Sequence, residues 1–216
     1  MGGRALVALA ALLLCACAGS PKAPDWQMNA YDSMQRSVVA YLSGDTRGEA
    51  LEFVKARSEI ASTGRPDLMA RAELLRCAAR VASLVFEPCA GFEKLREDAP
   101  AAERAYADYL SARVRSQDVA LLPAPQQVVA GKPDVAALGR IPDPLSQLVA
   151  AGVVFERGMA SPAVMALAVQ TASAQGWRRP LLAWLTVQAH AAEQGGDSAE
   201  VARLRRRIDL VQNATP

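Results

Sequence analysis

Residues 66–86, PDLMARAELLRCAARVASLVF, carry apolar side chains on two helical stripes. The first stripe consists of Leu74, Cys77, Ala78, Val81 and Val85, and the second consists of Leu68, Ala72, Leu75, Ala79 and Ala82. A surface helix needs only one such stripe, so a helix that has two is expected to lie at the centre of a bundle. Pro66 suits the first turn of this helix, and Glu87-Pro88 predicts its end.

The segments on both sides of this helix repeat the helical pattern. Residues 25–42 and a second helix capped by Asp45 precede it, and a helix that begins at Pro100 follows it. Aromatic residues make up only 5% of the chain, which disfavours sheets and favours closely packed helices. We predict an all-α fold: a helical bundle or a short solenoid of helical hairpins, behind an N-terminal lipoprotein signal peptide.

Residues 121–144 interrupt the helical pattern. Five of the thirteen prolines lie there: Pro123, Pro125, Pro133, Pro142 and Pro144. A continuous helix is impossible in this segment, although its leucine and valine content is too high for a free linker. We predict an irregular connector on the surface, which separates an N-terminal helical subdomain, residues 26–120, from C-terminal helical hairpins, residues 145–213.

The last two predicted helices, residues 180–212, are joined by a glycine turn and a capping box, Asp197-Ser198-Ala199-Glu200. Their pattern resembles a tetratricopeptide repeat. The matching positions are Trp184, Val187, Ala191, Gly196, Asp197, Val201 and Ile208. The resemblance implies one unit of a helical solenoid, and it covers about 30 residues, whereas such arrays need about three units. The alternative is an ordinary antiparallel helix pair.

The N-terminus has the parts of a bacterial secretion signal. Arg4 gives it one positive charge, and residues 5–14 are an unbroken apolar run of Ala, Leu and Val. Ten helical residues rise about 15 Å, which is too short to cross a bilayer and typical of a signal peptide. The sequence Leu14-Cys15-Ala16-Cys17 then resembles the lipobox of bacterial lipoproteins. The resemblance implies that residues 1–16 are removed.

The same resemblance implies a lipid anchor on Cys17. A diacylglycerol on its thiol and an acyl chain on its amine would hold the protein on a membrane through a tether, residues 17–25. Ala18, where an Asp would retain a lipoprotein in the inner membrane, implies the periplasmic face of the outer membrane. Ala16-Cys17-Ala18 also fits the site of ordinary signal peptidase, which would release a soluble periplasmic or secreted protein from Gly19.

The sequence predicts no catalytic residues, no metal ion and no cofactor. His190 is the single histidine, and with Glu193 it would form only a sparse ligand set. Neither the serine elbow of hydrolases nor a Ser-x-x-Lys pair occurs. Acidic residues mostly accompany basic ones, as in Glu73/Arg76 and Glu103/Arg104, which is typical of a solvated helix surface. A catalytic pair of carboxylates that lie far apart in the sequence but close together in the fold remains an alternative.

Cys77 and Cys89 are the cysteines that remain after removal of Cys15 and modification of Cys17. In an oxidising envelope such a pair predicts a disulfide, and the alternative is two buried free thiols. A bridge needs Cα atoms within about 7 Å, whereas twelve helical residues would separate them by about 18 Å. The bridge therefore predicts that the helix ends near residues 83–85, that the chain folds back and that Phe86 lies under the loop.

The chain has one dense basic cluster, which consists of Arg178, Arg179, Arg203, Arg205, Arg206 and Arg207. It predicts an interaction patch for lipid phosphate or an acidic partner, and the alternative is a solvated face near a helix C-terminus. The formal net charge is only +2, and loss of Arg4 with the signal brings it closer to zero. Nucleic acid is therefore not an expected partner.

These observations favour a membrane-anchored, non-enzymatic helical interaction or scaffold protein of the cell envelope, with a protein partner. The alternatives are an envelope enzyme such as a cell-wall hydrolase, and a carrier of lipid or another small molecule. A concave apolar surface would favour the interaction protein. A groove with paired carboxylates would favour the enzyme, and an enclosed apolar cavity would favour the carrier.

Overall fold

The structure is a computed structural model that describes residues 23–214. This part of the chain contains eleven α-helices, one 3-10 helix and no strand, which confirms the predicted all-α class. The α-helices are α1 (Asp25–Ser43), α2 (Thr46–Ala61), α3 (Pro66–Ala82), α4 (Ala90–Glu93), α5 (Ala101–Leu110), α6 (Ala124–Gly131), α7 (Val135–Gly139), α8 (Pro144–Glu156), α9 (Pro162–Ala174), α10 (Arg178–Gln194) and α11 (Ser198–Gln212). The 3-10 helix, Ser116–Leu121, lies between α5 and α6.

Local capping sets the limits of several helices. Asp45, Ser161 and Asp197 each accept a hydrogen bond from a backbone N–H in the first turn of α2, α9 and α11, as the sequence predicts for Asp45 and Asp197. Asp143 caps α8 in the same way. Gly44 closes α1 with a φ of +95°, in the left-handed region that glycine enters without a steric penalty.

Helix α3 lies at the centre of the bundle, where it packs against α1, α2, α4, α5 and α8. Its first stripe, which includes Leu74 and Val81, enters the main core. Most of its second stripe enters two smaller clusters: Ala72 packs near Phe53 of α2, and Ala79 packs near α1, whereas Ala82 lies in the main core. The two predicted stripes are confirmed, and they explain how a single helix joins three groups of buried side chains.

The C-terminal half of the chain packs closely on α3. A Cβ atom on Gly152 of α8 would lie 2.4 Å from the backbone oxygen of Val81, so α8 approaches α3 at a distance that only glycine permits. The fully buried Trp184 of α10 donates its indole N–H to the backbone oxygen of Ala82, with an N–O distance of 3.2 Å. Both contacts join the end of α3 to helices that follow residue 144.

Residues 121–144 differ from the predicted irregular connector. They form the end of the 3-10 helix, α6 and α7, because Pro123 and Asp134 stand at helix N-caps, where proline and aspartate do not disturb the helix. Leu122, Val129 and Leu138 are buried in the main core. That core takes buried residues from both sides of the segment, from Ala70 to Leu110 and from Leu148 onward, so the segment does not separate two cores.

The last three helices, α9, α10 and α11, pack against one another in sequence order. The predicted helical pair 180–212 corresponds to α10 and α11, which the turn at Gly195-Gly196 joins. Helix α10 also contacts α1, so this part of the chain closes the bundle. The resemblance to a tetratricopeptide unit stays a sequence prediction.

Candidate functional site

The predicted lipidation residue, Cys17, lies outside the described residues, and so do the cleavage site before it and most of the tether 17–25. Asp25, at the end of that predicted tether, already belongs to α1. Within residues 23–214, no helix combines the length and apolarity that crossing a membrane requires. The lipid anchor therefore rests on the sequence pattern.

The predicted disulfide is present between Cys77 and Cys89, whose Cα atoms are 6.0 Å apart. As the geometry of a bridge requires, α3 ends at Ala82 and the chain reverses at Leu84, which has a φ of +58°. Phe86 packs against the main core, and its ring stacks on Phe155 with centroids 6.3 Å apart. The predicted early end of the helix is confirmed, and Phe86 is partly buried against the main core.

The six arginines of the predicted basic patch differ in their surroundings, so they do not form one surface of unpaired charge. Arg179 donates to the backbone oxygen of Tyr41 at 2.7 Å and lies over the Tyr41 ring, which joins α10 to α1. Three further arginines of the patch have partners: Arg178 donates to the backbone oxygen of Gln212, Arg203 pairs with Glu200, and Arg205 pairs with Glu193. Among the described residues, only Arg206 and Arg207 of the six have no hydrogen-bond or ion-pair partner.

His190 is exposed on α10. Its Nδ1 atom lies 3.8 Å from a carboxylate oxygen of Glu193, and its Nε2 atom lies 3.1 Å from the amide nitrogen of Gln194. No cluster of three or more His, Cys, Asp or Glu side chains in residues 23–214 has the arrangement of a metal site.

Three glutamates are buried, and the sequence analysis did not identify them: Glu49, Glu73 and Glu103. The prediction that Glu73/Arg76 and Glu103/Arg104 are solvated surface pairs is therefore wrong for both carboxylates. Each one lies against a neighbouring helix and pairs with an arginine of that helix. The pairs are Glu49 with Arg76 at 2.5 Å, Glu73 with Arg57, and Glu103 with Arg71 at 2.5 Å.

These three pairs connect helices. Glu49–Arg76 and Arg57–Glu73 join α2 to α3, and Arg71–Glu103 joins α3 to α5. The carboxylates are buried while the guanidiniums stay 28–61% exposed, so removal of an arginine would leave a buried charge without its partner. Their arrangement supports packing, since each carboxylate is matched by its own guanidinium. A signal was present in the sequence, because Glu73 lies between apolar neighbours on both stripes of α3.

An open apolar groove lies between α1 and α3, and we call it the α1–α3 groove. Its volume is about 340 Å³. Ala30, Met34, Ile60 and Ala72 form its buried floor. Its walls are formed mainly by Trp26, Gln27, Tyr31 and Gln35 of α1 and by Leu68, Arg71 and Leu75 of α3, with Arg65 just before α3. The side chain of Tyr31 is 64% exposed.

The charges of the α1–α3 groove are basic and lie at its rim. Arg65 pairs with Asp67 at 2.6 Å and holds the pKa of that carboxyl below its usual range. Arg71 pairs with the buried Glu103. Both guanidiniums keep more than half of their side-chain surface exposed. No carboxylate from the described part of the chain lines the groove itself.

Sequence reasoning missed this groove because it depends on the spacing between α1 and α3, which are separated along the chain by α2. The signals that the sequence did carry were Trp26 at the start of α1 and the second apolar stripe of α3. Comparison with protein families, curated proteins and solved structures found no match.

Proposed function

We propose that the protein is an envelope lipoprotein, anchored through Cys17, that acts as a non-enzymatic helical interaction protein. In this proposal the α1–α3 groove receives an amphipathic helix of a protein partner. The observation that supports the proposal is the groove itself, which is open, apolar and lined by aromatic and aliphatic side chains. Binding of a helix by its apolar face in such a groove is a recurrent mode of recognition.

The dimensions of the groove suit a short helix. Its α1 wall runs from Trp26 to Gln35, which is about 14 Å of helix at 1.5 Å per residue. A partner helix with apolar residues at i, i+3 or i+4, and i+7 places its anchors over about 10 Å. Ala30 and Ala72 in the floor permit close approach, and Trp26 and Tyr31 are of the residue types that contribute most at interfaces.

The lining of the groove supports binding of a protein in preference to the two alternatives. A glycoside hydrolase would use a pair of carboxylates, and the described residues bring none into the groove. A carrier would enclose its ligand, whereas this groove is open along its length and exposes Tyr31. Arg65 and Arg71 at the rim favour a partner helix with acidic residues beside its apolar face.

The predicted anchor places the groove near the membrane. Seven residues lie between Cys17 and Asp25, the first residue of α1, and a fully extended chain over these eight residue steps reaches about 28 Å at most. Trp26, at the end of the groove, is next along the chain. We therefore expect the partner helix to come from a protein of the membrane surface or of the adjoining periplasm.

Photocrosslinking in intact cells tests the groove. Benzoylphenylalanine in place of Tyr31 should yield an adduct with one partner segment, whose sequence shows apolar residues at helical spacing. The same probe at Leu210, which is 74% exposed on α11, is the control and should not yield this adduct. Leu68→Glu in the groove wall should lower the yield about tenfold, whereas Val54→Glu, on the exposed face of α2, should leave it unchanged.

The proposal fails if both probes capture the same molecules, if the adduct at position 31 holds only lipid, or if Leu68→Glu has no effect. The anchor has a separate test. Metabolic labelling with an alkyne analogue of palmitate should mark the protein, and Cys17→Ser should abolish the label. An unlabelled protein whose mature N-terminus is Gly19 would show that the chain is secreted without a lipid.

A further inference from the structure

A second cavity opens beside the disulfide, and we call it the disulfide cleft. Its volume is about 300 Å³, at the lower end of the range for small-molecule sites. The Cys77–Cys89 bridge, Val81, Phe86 and Leu110 give it an apolar floor. It lies between the end of α3, the end of α5 and the last turn of α8, so residues far apart in the sequence form its wall.

Charged side chains of both signs surround this floor. Arg96 is fixed by Glu93 at 2.7 Å, by Asp108 at 3.1 Å and by stacking on the Phe92 ring. These contacts use the donors of Arg96, and its guanidinium holds the pKa of Glu93 below its usual range. Arg80 faces Glu87 at 3.8 Å, which is a looser pair. Arg96 thus lies between two carboxylates, and Arg96, Glu93, Arg80 and Glu87 all line the cleft.

Two further charged side chains, both exposed, line the cleft without a hydrogen bond or ion pair of their own in the described part of the chain. Neither the Arg113 guanidinium nor the Glu156 carboxylate has a hydrogen-bond or ion-pair partner in residues 23–214, and both line the cavity. Arg113 follows α5, and Glu156 ends α8. Arg113 acts electrostatically on Glu93, but its guanidinium makes no hydrogen bond there. This cation and the Glu156 anion on one apolar cleft complement a ligand that carries the two opposite charges beside an apolar group.

The backbone at the cleft is also unusual. Among the described residues, Leu84 and Ala112 are the only non-glycine residues with positive φ, and both have a φ of +58°. Leu84 precedes the cleft residue Phe86, and Ala112 lies between the cleft residues Ser111 and Arg113. Left-handed backbone at non-glycine residues is strained and is concentrated at ligand sites in proteins. The two strained positions thus lie on two segments that form one cavity.

We propose that the disulfide cleft binds a small zwitterion with an apolar side chain, which is the chemistry of an apolar amino acid or a short peptide. Its carboxylate pairs with Arg113, its ammonium group pairs with Glu156, and its side chain lies on the floor formed by Phe86, Leu110 and the disulfide. This site is separate from the α1–α3 groove, and the inference does not depend on the proposed function.

Isothermal titration calorimetry of the mature, oxidised protein tests the inference. We expect L-leucine or the dipeptide leucyl-alanine to bind with a Kd below about 1 mM. The tighter of the two identifies whether a single amino acid or a peptide is the ligand. N-acetyl-leucine lacks the ammonium charge and leucinamide lacks the carboxylate, so each should bind at least about tenfold more weakly than leucine.

Variants of the two free charges complete the test. Arg113→Gln and Glu156→Gln should each weaken binding about tenfold, and because neither residue has an internal partner, the melting temperature should stay within about 2 °C of the parent value. Arg140→Gln and Glu97→Gln, at exposed positions outside the cleft, are the matched controls and should bind like the parent. The inference is overturned if neither probe binds, if N-acetyl-leucine and leucinamide bind as tightly as leucine, or if the controls weaken binding as much as the cleft variants.

Discussion

At the scale of single residues, the helix ends that use a positive φ fall into two groups. Glycine takes this conformation after α1, α2, α8, α9 and α10, at Gly44, Gly64, Gly158, Gly176 and Gly196. Helices α3 and α5 instead place Leu84 and Ala112 in this conformation. The sequence could predict the glycine ends, because glycine is the usual residue there. It could not predict the other two, because a leucine or an alanine gives no signal of a left-handed backbone.

Replacement of Ala112 by glycine should therefore stabilise the protein. Relief of the left-handed strain contributes about 1–2 kcal/mol, and the added freedom of glycine in the unfolded chain removes about 0.5–1 kcal/mol of that gain. We expect Ala112→Gly to raise the free energy of unfolding by about 0.5–1 kcal/mol in urea titrations. In the reverse change, Gly158→Ala, the added Cβ atom has no other atom within 4 Å. This variant should lower the free energy of unfolding by a similar amount, because only the backbone conformation of residue 158 is strained. A loss of stability in Ala112→Gly would contradict the strain.

Buried tyrosines predict how stability depends on alkaline pH. Tyr109 is 1% exposed, and its hydroxyl has no hydrogen-bond partner in the described part of the chain. Burial raises the pKa of Tyr109, and of Tyr106 beside it, above the ordinary value of 10.0. Above about pH 10 the unfolded chain releases phenolic protons that the folded chain retains. The stability is therefore fully present below pH 10 and is lost as the pH rises through the raised values.

Urea unfolding at pH 9, 10 and 11 measures this effect. Each of the two tyrosines should contribute a decrease of up to about 1.4 kcal/mol per pH unit above pH 10. Tyr109→Phe should remove its share of the slope, and near neutral pH it should be as stable as the parent or more stable, because an unpartnered hydroxyl leaves the core. An unchanged slope in Tyr109→Phe would show that this phenol ionises without unfolding.

At the scale of helices, the sequence predicted what local chemistry controls. The caps Asp45, Ser161 and Asp197 act within four residues, so they were readable without the fold. Helices α6 and α7 were not, because helices of 8 and 5 residues are unstable alone and form only against a core. The buried glutamates were missed for the same reason, since each finds its arginine on another helix.

The disulfide between α3 and the segment before α4 should contribute to the stability of the fold. Cys89→Ser should lower the stability by about 3 kcal/mol, because the bridge restricts the unfolded chain between residues 77 and 89. For a protein of this size the melting temperature should fall by about 6–12 °C. Mass spectrometry of the non-reduced parent should find the two cysteine peptides linked. Two freely alkylated thiols in oxidised envelope extracts would contradict the bridge, and the palmitate label on Cys17 should be the same in the parent and the variant.

At the scale of the whole molecule, the α1–α3 groove and the disulfide cleft are products of long-range packing. Pairing of Cys77 with Cys89 could be predicted from the sequence, because the predicted oxidising compartment favours a bridge between the two remaining cysteines. The positions of Arg113 and Glu156 at the same cavity could not, because they lie on different helices whose approach depends on the whole core. The proline-rich segment had suggested a boundary between two subdomains. Its prolines instead lie at the starts of helices that pack into the main core.

A test of this shared core is the contact between α8 and α3. Ala at position 152 would place its Cβ atom 2.4 Å from the backbone oxygen of Val81, so one helix must move. We expect Gly152→Ala to destabilise the protein by about 1–3 kcal/mol, which lowers the melting temperature by about 2–12 °C. Gly131→Ala, at the end of α6 with no atom within 4 Å of the new Cβ, should be neutral or slightly stabilising.

The number of thermal unfolding transitions tests the shared core as well as the melting temperature does. Because α3 and α8 belong to different halves of the chain but to one core, far-ultraviolet circular dichroism and tryptophan fluorescence should report the same single transition in parent and variant. Fluorescence is informative here because Trp184 is bonded to the backbone of α3 and loses its burial when the two halves separate. Two separate unfolding transitions in Gly152→Ala would show that the two halves unfold independently, with a subdomain boundary at residues 121–144.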